Sequence, residues 1–371
     1  MWDWSWRGSN NSSKACSSCR LIYHLFILSK QLALRKGNYV SVLVIGGAGY
    51  IGSHAARALR RHGYDAIIYD NLSTGYPELA EGFELIVGDV ADQKALASAL
   101  KRVDAIMYFA ANSLVPESVS NPRKYYTNNV ICGLNMLHSA MDNGVKNVIF
   151  SSTCSVYGAP EQSPITEETL KQPCNPYGVT KLTLEHALDA YQKAYGLHYV
   201  SLSYFNAAGA DESGEIGELH RPETHLIPAC LTAILGERKE LEVFGDDYPT
   251  PDGTCIRDYI HVNDLAEAHV LALKHLEAGK ASVAMNLATG RGSSVKEVIQ
   301  ATEDVTGRKV PRRIVPRRAG DPPSLVADPT RAEQVLGWKA QRSLRDMVQT
   351  AWDWMHTGRE RLLKTVQAAS H

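Results

Sequence analysis

The chain has 371 residues, 44% of them hydrophobic, with 39 Lys and Arg against 40 Asp and Glu, enough for one large α/β domain carrying a smaller second lobe. A net charge of −1 excludes a basic surface for nucleic acid, so any phosphate must be met by local donors. Seven scattered cysteines suit reduced, buried, small hydrophobes of a cytoplasmic protein; Cys16-x-x-Cys19 lacks a second pair, and no metal site is expected.

Residues 1–38 differ from the rest of the chain. Trp2, Trp4 and Trp6 precede a Ser/Asn run and an apolar stretch from Leu21 to Leu34, interrupted by His24, Ser29, Lys30 and Gln31. That stretch is too short and polar to span a bilayer, and no small-residue cleavage site precedes the first strand. It reads as a poorly ordered N-terminal extension without a catalytic role, and no membrane partner is expected.

From Val40, short β-branched runs alternate with helical patterns, which predicts a doubly wound parallel sheet with helices on both faces. Ser41 to Ile45 is a continuous apolar run, as a buried parallel strand requires. A glycine turn and a helix from about Tyr50 to His62 follow, with Gly63 in a C-cap position. Further strands are expected at Asp65–Tyr69, Glu84–Val87, Val103–Phe109, Asn147–Ser151 and His198–Tyr204. Helices are expected at Leu226–Leu235, Ser294–Thr306, Thr330–Leu336 and Leu344–Met355. The span from Gly245 to Asp258 is rich in Asp, Pro and Gly and reads as a long binding loop.

Gly46-Gly47-Ala48-Gly49-Tyr50-Ile51-Gly52 lies directly between strand and helix. Glycines there allow a tight turn and close approach of a pyrophosphate to the unpaired N–H groups of the helix start. Asp70, followed by Asn71, ends the second strand, where a carboxylate accepts from ribose hydroxyls and repels a 2′-phosphate; the cofactor is therefore NAD rather than NADP. Asp89, in Val87-Gly88-Asp89-Val90, ends the third strand beside the adenine position. Phe109-Ala110-Ala111 ends the fourth, where small residues let a cofactor lie across the sheet edge.

Asn175 suits an N-cap and Pro176 the first helical position. Tyr177 and Lys181 then stand one turn apart on one helix face. An ammonium beside a phenol, together with a cationic nicotinamide, lowers the phenol pKa from about 10 and makes it a base for a sugar hydroxyl. This spacing occurs by chance on many helices; Ser151-Ser152-Thr153 at the end of the fifth strand gives it a context, because ligands of open α/β sheets bind at strand carboxyl ends.

Gly46 to Gly52, Thr153, Tyr177 and Lys181 together resemble the extended short-chain dehydrogenase/reductases. Longer stretches narrow the likeness to the UDP-glucose 4-epimerases: Ala110 to Val115, Glu117-Ser118-Val119, Tyr125 to Val130, Tyr204 to Ala210, His225 to Pro228, Phe244-Gly245, Thr254 to Val262 and Arg317 to Asp321. The likeness runs from about Val40 to Trp354. It implies a Rossmann-type NAD domain over 39–207, completed by about 255–290, and a UDP-sugar lobe mainly over 208–371. It also implies a homodimer, a UDP-hexose substrate and a role in galactose metabolism.

By the same resemblance Thr153, Tyr177 and Lys181 are catalytic. Asn128, Ser151 and Tyr204 flank NAD, and Asn206, the backbone near His225 and Leu226, Phe244, Arg257, Arg318 and Asp321 bind UDP. Two arginines suit a diphosphate because their forks pair with phosphate oxygens. Ile45 and Ser203 depart from the family's usual threonine and arginine without removing a catalytic group. Leu325 stands where family members gate the hexose, which leaves UDP-hexose, UDP-N-acetylhexosamine and UDP-pentose open. Cys154 and Ser155 stand where a 4,6-dehydratase needs carboxylates, a net dehydrogenase would release NADH, and an NAD-sensing module would lack the Tyr/Lys pair.

Overall fold

The computed structural model describes residues 40–160, 162–220, 222–318, 321–359 and 362, so the expected N-terminal extension lies outside the described residues. Six strands alternate with helices along the first half: β1 (Ser41–Ile45), β2 (Asp65–Asp70), β3 (Glu84–Val87), β4 (Ala105–Tyr108), β5 (Asn147–Thr153) and β6 (His198–Tyr204). Later come β7 (Asn206–Ala208), β8 (Leu241–Phe244), β9 (Ile256–His261), β10 (Val283–Leu287), β11 (Gly292–Ser294), β12 (Arg312–Val315) and β13 (Ser324–Leu325).

The main sheet is parallel throughout, in the order β10-β6-β5-β4-β1-β2-β3. Along β1, Val42 and Val44 enter one buried cluster, Leu43 and Ile45 the other. Both faces are covered, which is why the strand reads as an unbroken apolar run. One layer contains helices Tyr50–Arg61 and Val262–Glu277; the other contains Gln93–Leu100, Cys132–Asp142 and Pro176–Tyr195. The doubly wound Rossmann-type class follows from this arrangement.

The second lobe packs helices Leu226–Ile234, Val295–Thr306 and Leu344–Asp353 around Ile227, Leu231, Val298, Met347, Val348 and Trp354. Two small sheets edge it: β9 pairs with β7, β11 and β13, and β8 with β12. The helix expected from Ser294 starts at Val295, with Ser294 and Glu297 forming a reciprocal capping box. The seventh strand, β10, comes from far along the chain and pairs with β6 through Val283 to Leu287. Two expectations are corrected. The binding loop ends at Cys255, because β9 begins at Ile256 in register with β13. Among the described cysteines, Cys132, Cys230 and Cys255 are buried, but Cys174 is exposed.

Candidate active site

The strand order reverses between β1 and β4, which leaves a crevice at their carboxyl ends. Gly46 stands in it with φ +82°, donating its N–H to the Tyr69 carbonyl at 2.8 Å. A Cβ there would come 2.7 Å from the Ala110 nitrogen, and one on Gly52 would come 2.3 Å from the Gly46 carbonyl oxygen. Only glycine fits either place. Gly49 is the N-cap of the following helix and offers no side chain to its first turn, whose N–H groups suit a pyrophosphate. Tyr50 donates its hydroxyl to the Gly209 carbonyl at 2.6 Å, tying the glycine turn to the segment after β7, and Ile51 packs on the core.

Asp70 accepts from the Ala48 N–H at 2.9 Å and the Leu72 N–H at 2.8 Å. Burial raises its carboxyl pKa, and those two amides oppose the rise. It thus braces the glycine turn at the β2 end. Asn71 donates to Asp89 at 2.8 Å, and Val90 is buried beside them. Phe109 and Ala110 donate to the Ile45 carbonyl, holding the β4 end and the neighbouring Ala111 against the glycine turn. Asn128 donates to Asn129, which sequence reasoning missed. Asn129 is 1% exposed and bonds both backbone groups of Asn112 and the Thr180 hydroxyl. It locks the segment after β4 to the Tyr/Lys helix.

Helix Pro176–Tyr195 starts as expected, with the Asn175 side chain accepting from the Gly178 N–H at 2.9 Å and Pro176 at its head. Tyr177 is half-buried, with its phenol beside the Thr153 hydroxyl at the end of β5. Lys181 is 2% exposed, donates to the Ser151 carbonyl at 2.7 Å and lies 5.0 Å from the centre of the Phe150 ring. The Ser151 and Tyr204 hydroxyls bond each other across the register of β5 and β6. Strand end and helix face therefore converge as the sequence implied.

Among the protein's own groups, burial dominates the electrostatics. Burial pushes the Tyr177 phenol up to about 12, and the opposing influence is the Thr153 hydroxyl rather than Lys181. Burial also pushes Lys181 down to about 7, against the pull of Glu185. Desolvation outweighs the charge effect because both groups sit in a low-dielectric wall.

Glu185 was not singled out from the sequence, although it repeats the four-residue spacing of Tyr177 and Lys181. It is buried, accepts from Ser152 on β5 and from Ser201 on β6 at 3.2 Å, and pairs with Lys171 at 2.5 Å. It pins the helix to two strands beneath the site.

Asn206, His225 and Leu226 line a cavity in the second lobe with Thr224, Ile227 and Tyr259. Asn206 donates to the Asp258 carbonyl at 3.0 Å. Arg257 and Asp321, assigned to diphosphate and ribose separately, are paired at 2.7 Å. Arg318 stacks 3.8 Å over the Phe244 ring, while the Ala319 and Gly320 of that motif lie outside the described residues. Asp258 was also missed: wholly buried, it accepts from Thr289 and Gly290, and burial pushes its carboxyl up to about 6 despite those donors. Leu325 stands beside Arg257 in the β13–β9 register and packs near Val156 and Tyr157, just past Thr153.

The model of the NAD dependent epimerase/dehydratase family matches residues 42–288. A UDP-glucose 4-epimerase of Halalkalibacterium halodurans is 49% identical over 318 residues, covering 85% of this chain and 95% of the relative. The crystal structure of UDP-glucose 4-epimerase from Brucella ovis in complex with NAD superposes with a TM-score of 0.84 at 50% identity, covering 86% of this chain and 98% of that one. The enzyme of Bifidobacterium longum, solved with NAD+ and UDP, gives 0.82 at 40% identity, covering 86% and 99%. With its glycine turn, Tyr177, Lys181 and sheet order in place, the chain belongs to the NAD dependent epimerase/dehydratase family.

Proposed function

We propose that the protein interconverts UDP-glucose and UDP-galactose by inverting C4 through a 4-keto sugar, holding NAD tightly between cycles. The observation that carries this reading is the meeting of Tyr177 with Thr153 and of Lys181 with Ser151 at the strand ends beside the glycine crevice. The groups of the crevice fit NAD: no side chain fills the space at Gly46, Gly49 and Gly52, and Asp70 stands at the ribose end. Bound NAD supplies the acceptor and later the donor of the C4 hydride. Tyr177 takes the proton of the 4-hydroxyl and returns it to the new 4-oxygen, and Thr153 orients that oxygen by hydrogen bonding. A phenol held near 12 needs added positive charge to ionise; bound NAD would bring a cationic ring, and Lys181 adds its own charge in the fraction of molecules that keep the ammonium.

In the second lobe Asn206, the His225–Leu226 backbone, Phe244, Arg257, Arg318 and Asp321 hold UDP, so the hexose alone turns over between hydride transfers. The Arg257–Asp321 pair fixes one side of the guanidinium and leaves its remaining donors for phosphate. Cys154 and Ser155 in the turn after Thr153 offer no carboxylate pair for eliminating water. As finer parts of the proposal, residues 39–207, completed by about 255–290, bind NAD and 208–371 mainly bind UDP-sugar. The enzyme acts in the cytoplasm in galactose metabolism, and no described helix is long and apolar enough to cross a membrane. It works as a homodimer, for which exposed Val115, Val119, Tyr126 and Ile131 offer apolar surface.

Purified protein given UDP-galactose deuterated at C4 and no external nicotinamide tests the reading. UDP-glucose retaining the deuterium, with no free NADH, is expected. Solvent hydrogen at C4, or NADH accumulating with substrate, would overturn it. Offering UDP-N-acetylgalactosamine beside UDP-galactose reports on Leu325; comparable rates would mean an open gate.

A further inference from the structure

Four titratable side chains converge just before helix Leu226–Ile234. Glu218, His220, Glu223 and His225 bring their polar atoms within 4.8 Å of one another. The Glu218 side chain is 5% exposed, and its Oε1 lies 2.9 Å from His220 Nδ1 and 2.5 Å from His225 Nδ1. Glu223 Oε1 stands 3.5 Å from the same His225 nitrogen and accepts the His225 backbone N–H at 2.9 Å.

This set also has the composition of a metal site, and the distances decide between the two. Ligands on a tetrahedral zinc, with bonds of 2.0–2.1 Å, lie about 3.3 Å apart. Separations of 2.5 and 2.9 Å are hydrogen-bond lengths. A carboxylate oxygen can only accept, so both Nδ1 atoms carry protons. The cluster is organised by protons.

His225 keeps 48% of its side chain exposed and lines the cavity shared with Asn206 and Leu226. His225 is also the N-cap of helix Leu226–Ile234, and its side chain does not cap the first turn. The cavity wall therefore carries an imidazole beside a helix N-terminus, a pair that suits an anion when the imidazole is protonated.

We propose that Glu218, assisted by Glu223, is a positioning residue that keeps His225 an imidazolium facing this cavity, where it pairs with the diphosphate of the substrate. The proposal rests on the cavity being the UDP site. The neighbouring Glu218 carboxylate holds His225 well above the usual imidazole range, outweighing the partial burial of the half-exposed ring. Burial alone would raise Glu218, but the charges of His225 and His220 win and bring its carboxyl down to about 2. The other groups against the cluster are Tyr50, edge-on to His220 at 6.3 Å, and Arg238, which donates to the Glu223 carbonyl at 2.7 Å. Burial and the two glutamates hold the Tyr50 phenol far up, so it stays neutral.

Glu218→Gln keeps the shape and removes the charge. Calorimetry with UDP-glucose, whose diphosphate has a constant charge over pH 6 to 8.5, is the readout. Wild-type affinity should stay flat over this range. The variant should match it near pH 6 and weaken at least about tenfold by pH 8.5, as a His225 with an ordinary pKa of about 6.5 loses its proton. His225→Gln should be weak at every pH. A Glu218→Gln profile parallel to wild type, or stoichiometric zinc in wild type that the variant lacks, would overturn the proposal. NMR titration of the His225 ring without ligand separates this from the substrate reading. The ring should stay charged above pH 8 in wild type and titrate near 6.5 in the variant. A charged ring in a protein that binds no UDP-glucose would place the failure in the substrate reading; a ring titrating near 6.5 in wild type would place it here.

Discussion

Replacing Lys181 by methionine should make the folded protein more stable while disabling its chemistry. Lys181 is 2% exposed, and burial takes its ammonium from 10.5 down to about 7. The difference, 10.5 minus about 7, is about 3.5 units, or about 5 kcal/mol at 1.36 kcal/mol per unit. The folded state holds the proton less tightly than the unfolded chain does. The cost is therefore present in full below about pH 7 and is relieved as pH rises toward 10.5. Methionine has a similar length and removes this cost, but it also removes the donor to the Ser151 carbonyl, a loss of about 1–3 kcal/mol. The net gain should be about 2–4 kcal/mol at pH 6 and about zero by pH 9, where about 2 kcal/mol of the cost is left. Urea denaturation of wild type and variant, both stripped of nucleotide, measures the gain at the two pH values. A variant less stable than wild type at pH 6, or a difference that does not shrink by pH 9, would refute the reasoning.

Gly52→Ala places a methyl 2.3 Å from the Gly46 carbonyl oxygen; it should cost about 1–3 kcal/mol and leave the purified protein with substoichiometric NAD, read by nucleotide extraction and absorbance. Arg257→Ala should weaken UDP binding by about 10- to 100-fold, or about 1.4–2.8 kcal/mol, in calorimetry. Arg257→Lys should recover only part of this, because a point charge cannot pair with Asp321 and phosphate together. Glu185→Ala leaves Lys171, Ser152 and Ser201 without their shared partner and should cost about 3 kcal/mol in urea denaturation.

The parallel strands were legible because burial on both faces writes them as continuous apolar runs, and β3 and β6 fall at the expected residues. The Tyr177–Lys181 helix was legible because Asn175-Pro176 is a local cap signal, a side-chain acceptor for the first turn followed by a proline preset for it. Long-range pairings were harder. Strand β10 completes the main sheet only by returning beside β6, and β9 gains strand character from β7, β11 and β13 rather than from its own polar sequence. Buried charges were harder still. Nothing local marks Glu185 or Asp258 as interior, since their burial depends on partners contributed by other strands and loops. The rise of the Tyr177 phenol was hidden for a related reason: residue types reveal charges, but desolvation is a property of the assembled wall.

Everything in the proposed chemistry passes through the Tyr177 hydroxyl, so Tyr177→Phe is the most direct test. Its neighbour is the Thr153 hydroxyl, and Tyr177 is not among the residues lining the cavity around Asn206, His225 and Tyr259. Turnover of UDP-galactose in a coupled assay, set beside UDP affinity in calorimetry, separates chemistry from binding. The account predicts a fall in turnover of about three orders of magnitude or more, in the range that loss of general acid–base catalysis brings, with UDP affinity preserved. Near-normal turnover in the variant would contradict it.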